Sequence, residues 1–171
     1  MKIVLILGYS GAGKTSAISS IIRALTEQGR RVGTLKHIHE PSFTIDTKGK
    51  DTWKHAEAGA SVVVALAPHE LTIVRRGDTR RMTLDELLPI YRGAGVDYLL
   101  IEGLYMKLRK REGLVRILCA DSGKDARDLL SVHPAPVCIL AKTILTETGE
   151  FQGIPILSLP RDIKKVITMI G

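Results

Sequence analysis

The sequence predicts a three-layer α/β fold: a mainly parallel sheet between helices, with one antiparallel β-hairpin added. Three observations predict it. Short apolar runs alternate with helically patterned segments along most of the 171 residues, the signature of successive βαβ units. The first run, Ile3-Val4-Leu5-Ile6-Leu7, leads straight into Gly8-Tyr9-Ser10-Gly11-Ala12-Gly13-Lys14-Thr15 and then a helical pattern from Ser16 to Gln28. That is GxxxxGK[ST] in the strand–loop–helix context that confirms a P-loop. Two β-rich runs, Ser61 to Leu66 and Leu71 to Arg75, are joined only by Ala67-Pro68-His69-Glu70, a link so short that it allows only antiparallel pairing. The expectation is one P-loop NTPase domain over residues 1–171, a length that suits a single core.

Strand one, about Lys2 to Leu7, is apolar throughout, as expected for a parallel strand buried on both faces. The first helix sets Ile18, Ile21, Ile22 and Leu25 at helical spacing and stops at Gly29. Arg31 to Leu35 is the second strand and completes a βαβ unit with a right-handed crossover. Periodicity then disappears from Lys36 to Asp51. A patternless stretch of that length in a compact domain is functional or disordered, and this mixture of His, Asp, Lys and Phe is not that of a disordered tail. A short helix from Asp51 or Thr52 to about Ala58 closes at Gly59. Beyond the hairpin, Met82 to Tyr91 is an amphipathic helix with Thr83 and Glu86 in a capping-box pattern. Tyr98-Leu99-Leu100-Ile101-Glu102-Gly103 is a buried strand that ends on a carboxylate. A basic linker, Lys107 to Arg111, leads into strand Leu114 to Ala120 and a helix near Gly123 to Val132. Strands Val137 to Ala141 and Ile154 to Ser158 and a terminal helix Arg161 to Ile170 complete the chain.

Composition narrows the partners. Hydrophobic residues make up 44% and charged residues 25%, as in an ordinary soluble protein. No apolar run approaches the roughly 20 residues of a membrane span. The apolar N-terminus lacks a cleavable signal pattern, so a cytoplasmic protein with no membrane partner is expected. A net charge of +7 favours anionic partners. Basic residues are nevertheless spread along the chain, and 4% aromatic residues leave few platforms for stacking bases, which weighs against nucleic acid. Phosphorylated small molecules or an acidic protein fit the charge. Cys119 and Cys138 each sit inside an apolar run, where buried reduced thiols are expected.

The P-loop carries the first chemistry. Gly8, Gly11 and Gly13 let the backbone turn so that amide N–H groups converge on phosphate, and the following helix adds its positive end. Gly8, Ser10, Gly11, Ala12, Gly13, Lys14, Thr15 and Ser16 are therefore the expected phosphate-binding residues. Lys14 reaches the β- and γ-phosphates, and the Thr15 hydroxyl holds magnesium. Glu102, at the carboxyl end of its strand and followed by Gly103, is the expected carboxylate for magnesium or its water. Lys36 and His37 follow strand two to the same edge; Asp46, Lys48, Lys50 and Asp51 add carboxylates and cations to a loop that commonly senses the γ-phosphate. His37 and His39 share one face of an extended chain, and phosphate or substrate contact suits them better than zinc, which wants more ligands. The chain has no Asn, so the guanine-reading loop Asn-Lys-x-Asp is absent as written. Lys142, after the strand ending at Ala141, and Asp121, after the neighbouring strand, are the candidates for the base, and each is equally a simple loop residue.

Taken together, Gly8 to Thr15, Val32-Gly33-Thr34-Leu35-Lys36-His37-Ile38-His39, Asp46-Thr47-Lys48-Gly49-Lys50-Asp51-Thr52 and Ala58-Gly59-Ala60 resemble the MobB family, the molybdopterin-guanine dinucleotide biosynthesis adaptor proteins. The likeness runs in order to about residue 65 and resumes at Leu100-Ile101-Glu102-Gly103. The resemblance implies a GTP-binding, slowly hydrolysing homodimer with a mixed sheet and a projecting hairpin. It implies help to the nucleotidyltransferase that attaches GMP to molybdopterin, and contact with molybdopterin itself. It also implies that Gly11, Gly13, Lys14 and Thr15 bind phosphate and magnesium, that Asp46 and Glu102 belong to the magnesium and water network, and that His37 and Lys50 line the site. Members often read Glu-Gly-Phe-Lys where this chain has Glu102-Gly103-Leu104-Tyr105, and the half beyond Arg109 matches less distinctly. Two other functions share the same loop. A small-molecule or nucleoside kinase would use Lys107 to Arg111 as a lid. A metal-delivery GTPase would use His37 and His39.

Overall fold

The computed structural model describes residues 1–141 and 149–171, so Lys142 lies outside the described residues. The chain forms two compact units: Met1–His37 with Leu88–Gly171, and Ile38–Leu87.

In the first unit a seven-stranded sheet is built from β1 (Lys2–Leu7), β2 (Val32–Lys36), β5 (Tyr98–Glu102), β6 (Leu114–Cys119), β7 (Cys138–Leu140), β8 (Glu150–Phe151) and β9 (Ile154–Leu157). The spatial order is β2-β5-β1-β6-β7-β9-β8. Every pairing is parallel except β8 with β9. Alternate residues of the central strands feed two buried layers. Val4, Ile6, Leu100, Ile117 and Cys119 pack with Ala17, Ile18, Ile21 and Leu25 of α1 (Lys14–Glu27) and with Val166 and Ile170 of α6 (Ile163–Ile170). Leu5, Leu99, Ile101, Leu118 and Ile139, pointing to the other side, are buried as well. A sheet covered on both faces explains why these strands read as continuous apolar runs.

Local chemistry fixes several joints. At Gly33 a Cβ would lie 2.7 Å from the Tyr91 ring of α3 (Leu84–Gly93), whose hydroxyl donates to the Thr34 carbonyl at 2.9 Å. The Thr83–Glu86 capping box forms as expected, the Thr83 N–H donating to the Glu86 carboxylate at 2.7 Å and holding that carboxyl below its usual range. Ser122 caps α5 (Gly123–Val132) by accepting from the Asp125 N–H at 3.1 Å. The basic linker is partly helical instead: α4 spans Tyr105–Leu108. The buried Arg116 guanidinium of β6 donates to the carbonyls of Arg111 at 2.6 Å and Leu114 at 3.2 Å, which anchors the end of this segment to the sheet. Cys119 and Cys138 are buried and unpaired by disulfide, as expected, and burial pushes both thiols up to about 12.

The second unit holds α2 (Asp51–Glu57) and the expected hairpin, β3 (Val62–Ala67) with β4 (Glu70–Arg75). Its inward residues Val63, Ala65, Thr72 and Val74 wall a cavity of about 200 Å³ that Asp46 and Thr52 also line. Arg76 pairs with Glu57 at the hairpin base. Among the described residues no helix is long and apolar enough to cross a membrane.

Candidate nucleotide-binding site

Four neighbouring strands, in the order β2-β5-β1-β6, bring their carboxyl ends to one edge of the first unit. β1 ends at Leu7, and α1 begins only at Lys14, so residues 8–13 form the loop. Gly8, Gly11 and Gly13 all have positive φ, 148°, 83° and 83°. Gly8 has a further requirement: a Cβ there would lie 2.6 Å from the Cys119 carbonyl oxygen. The N-cap of α1 is Gly13, which has no side chain to offer, so no side chain caps the first amides of the helix, the arrangement that suits an anion. Ser10 and Ala12 lie within this loop, and Thr15 and Ser16 in the first turn of α1. The Lys14 ammonium folds back over the loop and donates to the Tyr9 carbonyl at 2.6 Å.

Beside the loop strand stands β5, in register so that Glu102 is level with Ile6 on one side and Lys36 on the other. Glu102 is buried, and its Oε1 accepts from the Lys36 ammonium. The His37 N–H donates to the Glu102 carbonyl at 2.9 Å. The chain then turns sharply. A Cβ on Gly103 would lie 2.7 Å from the His37 Cβ, and Leu104 follows with φ of 57°. For leucine the left-handed region costs about 1–2 kcal/mol, a strain that sits directly beside the site carboxylate.

On the far side of β1, β6 ends at Cys119 and delivers Asp121, whose buried Oδ1 has no hydrogen-bond partner among the described residues. The Cys119 thiol, raised first by burial, is lowered by the Lys14 charge and raised by those of Asp121 and Glu102. The result is an alternating row of Lys36, Glu102, the P-loop with Lys14, and Asp121. The hard oxygens of Thr15 and Glu102 are of the kind that fits a magnesium ion.

Asp46, Lys50 and His39 belong to the second unit. Asp46 Oδ1 accepts from the Thr47 N–H at 2.9 Å and the Thr52 hydroxyl at 2.8 Å, while the buried Oδ2 has no partner among the described residues. Lys50 is the N-cap of α2, and its N–H donates to the Thr47 carbonyl at 3.2 Å. Among the described residues no three His, Cys, Asp or Glu side chains gather into a metal-binding group. Sequence reasoning placed Lys36 at the right edge without a role. Its pairing with Glu102 becomes visible only once β2 is known to lie against β5.

The sequence profile of the family described as molybdopterin guanine dinucleotide synthesis protein B matches residues 3–128, a span that includes the P-loop, Lys36, Glu102 and Asp121. The chain belongs to this family. A relative from Methanocaldococcus jannaschii is 30% identical over 137 residues, 80% of this chain and 54% of its own. The molybdopterin-guanine dinucleotide biosynthesis adapter protein of Haemophilus influenzae is 34% identical over 113 residues, 66% of this chain and 60% of its own. The chain thus spans little more than half the length of these two relatives. The crystal structure of Bacillus subtilis MobB superimposes with a TM-score of 0.77 at 27% identity, covering 100% of this chain and 99% of that one. The three-layer α/β fold with its added hairpin is the fold of this family.

Proposed function

We propose that the chain binds GTP with magnesium at the strand ends of the first unit, hydrolyses it slowly, and acts as an adapter in molybdopterin guanine dinucleotide synthesis. The observation that carries this reading is the P-loop of a family member set beside the buried Glu102 carboxylate. In it, the amides of Gly8 to Ser16 and the Lys14 ammonium hold the phosphates. Thr15 and Glu102, both in the first unit, would hold the metal. Magnesium, when bound, supplies charge neutralisation across the β- and γ-phosphates. His37 lines the nucleotide, and Asp121 stands as the candidate on the base side. A nucleotidyltransferase that handles molybdopterin is the partner this role requires. The anchoring of Leu108 to Arg111 by Arg116 favours the adapter over a kinase with a mobile basic lid.

Calorimetric titration with GTP and ATP at equal magnesium tests the nucleotide. GTP is expected to bind at least roughly ten-fold tighter, a difference of about 1.4 kcal/mol. A preference for ATP would remove the guanine part of the reading.

The adapter is proposed to work as a homodimer. Support comes from the outer face of the hairpin, where Val62, Val64, Leu66, Leu71 and Ile73 are all more than half exposed and Leu66 reaches 84%. An apolar ladder of this kind is normally covered in the working assembly. Leu66→Glu combined with Ile73→Glu is expected to halve the mass seen by sedimentation equilibrium. A double variant that keeps the wild-type mass would take this face out of the interface.

A further inference from the structure

We infer that Lys36 is a built-in competitor of the divalent cation: its ammonium holds the Glu102 carboxylate and so sets the magnesium concentration that the nucleotide site requires. The inference rests on the proposed nucleotide site and deepens it. Lys36 and Glu102 are register partners on adjacent parallel strands, and the ammonium is seated on Oε1. The two partners differ in freedom. Glu102 belongs to a strand paired on both sides, its side chain is 11% exposed, and the chain around it is fixed by the His37 N–H and by the close approach of Gly103 to His37. The Lys36 side chain is 53% exposed and ends a flexible stem. The Lys14 ammonium is placed differently, donating to the Tyr9 carbonyl of its own loop at 2.6 Å.

A carboxylate already neutralised by an ammonium is a poorer ligand for magnesium. A cation arriving at Glu102 must move the lysine aside, and the cost of separating the pair appears as negative coupling between ammonium and metal. Because Lys36 is the exposed partner, it is the group that moves. A purely structural ion pair between β2 and β5 would behave differently: its loss would lower thermal stability and leave the magnesium requirement unchanged.

The test is a magnesium titration of the binding of a fluorescent GTP analogue at fixed nucleotide concentration, with the full chain. In Lys36→Met the half-saturating magnesium concentration is expected to fall about five-fold or more, the smallest factor usual for a real coupling. Lys36→Arg, which keeps the charge, is expected to hold or raise the requirement. In a Glu102→Gln background, Lys36→Met is expected to have no effect on it. Circular dichroism checks that each variant is folded, and Lys36→Gln replaces Lys36→Met if that variant is not. An unchanged or higher magnesium requirement in folded Lys36→Met, with the wild type binding normally, overturns this inference alone. A wild type that shows no magnesium-dependent nucleotide binding overturns the proposed site as well.

Discussion

Lys14→Ala is expected to lose GTP affinity by about a hundred-fold or more, since truncating one partner of a desolvated charge contact costs roughly 2–5 kcal/mol. The size of the effect follows from the loop. The backbone amides of residues 8–13 and the start of α1 give direction to a bound phosphate, but Lys14 supplies the one full positive charge inside the loop. The fold is expected to stay intact for equally local reasons. Among the described residues the ammonium has a single hydrogen bond, to the Tyr9 carbonyl of the same loop. Alanine is also the best helix former, so α1 keeps its first turn. Calorimetry reads the affinity and far-ultraviolet circular dichroism the fold. Wild-type binding by a folded Lys14→Ala chain would remove the P-loop from the nucleotide site.

What the chain reveals before folding is what is decided locally. β1, the loop and α1 are legible because an apolar run, a glycine pattern and a helical period adjoin in sequence. The helix Gly123–Val132 is equally legible, because Ser122 caps it and its apolar residues repeat at helical spacing. The hairpin follows from the shortness of its link. The site is only half readable by such means. Glu102 announces itself as the end of an apolar strand beside a glycine. The Lys36–Glu102 pair joins residues separated by 66 positions, and it exists because β5 inserts between β1 and β2. No local pattern encodes that order. The four-residue α4 is too short to show a period, and the side chain that steadies it, Arg116, comes from another strand. β8, at two residues, has no pattern at all and depends on β9 for its existence. Of the aperiodic stretch from Lys36 to Asp51, only His37 to Lys50 lies outside regular elements, since Lys36 ends β2 and Asp51 begins α2. Its division, with His37 in the first unit and Asp46 and Lys50 in the second, depends on contacts that follow only from the folded chain.

The two loop glycines Gly8 and Gly11 separate the reasons for which a P-loop uses glycine. Both have positive φ, so alanine at either carries the backbone penalty of about 1–2 kcal/mol. At Gly11 nothing lies within 4 Å of an added Cβ, so that penalty is the whole cost. At Gly8 the Cβ would meet the Cys119 carbonyl oxygen at 2.6 Å and the Cys119 Cβ at 3.2 Å. Neither can give way: Cys119 is buried in β6, which pairs with β1 on one side and β7 on the other. The loop must move instead. Gly8→Ala is therefore expected to cost roughly 3 kcal/mol or more, a fall in melting temperature of about 6–12 °C for a chain of this size. Gly11→Ala is expected to lower it by about 2–8 °C on the same scale. Nucleotide affinity should follow the same order, since a displaced residue 8 shifts the amides that follow it, whereas Gly11→Ala leaves strand and loop origin in place. Thermal melts and GTP titrations of the two variants, compared side by side, decide the matter. Equal losses at both positions would mean that backbone conformation alone, and not the contact between β1 and β6, sets the loop in its phosphate-binding shape.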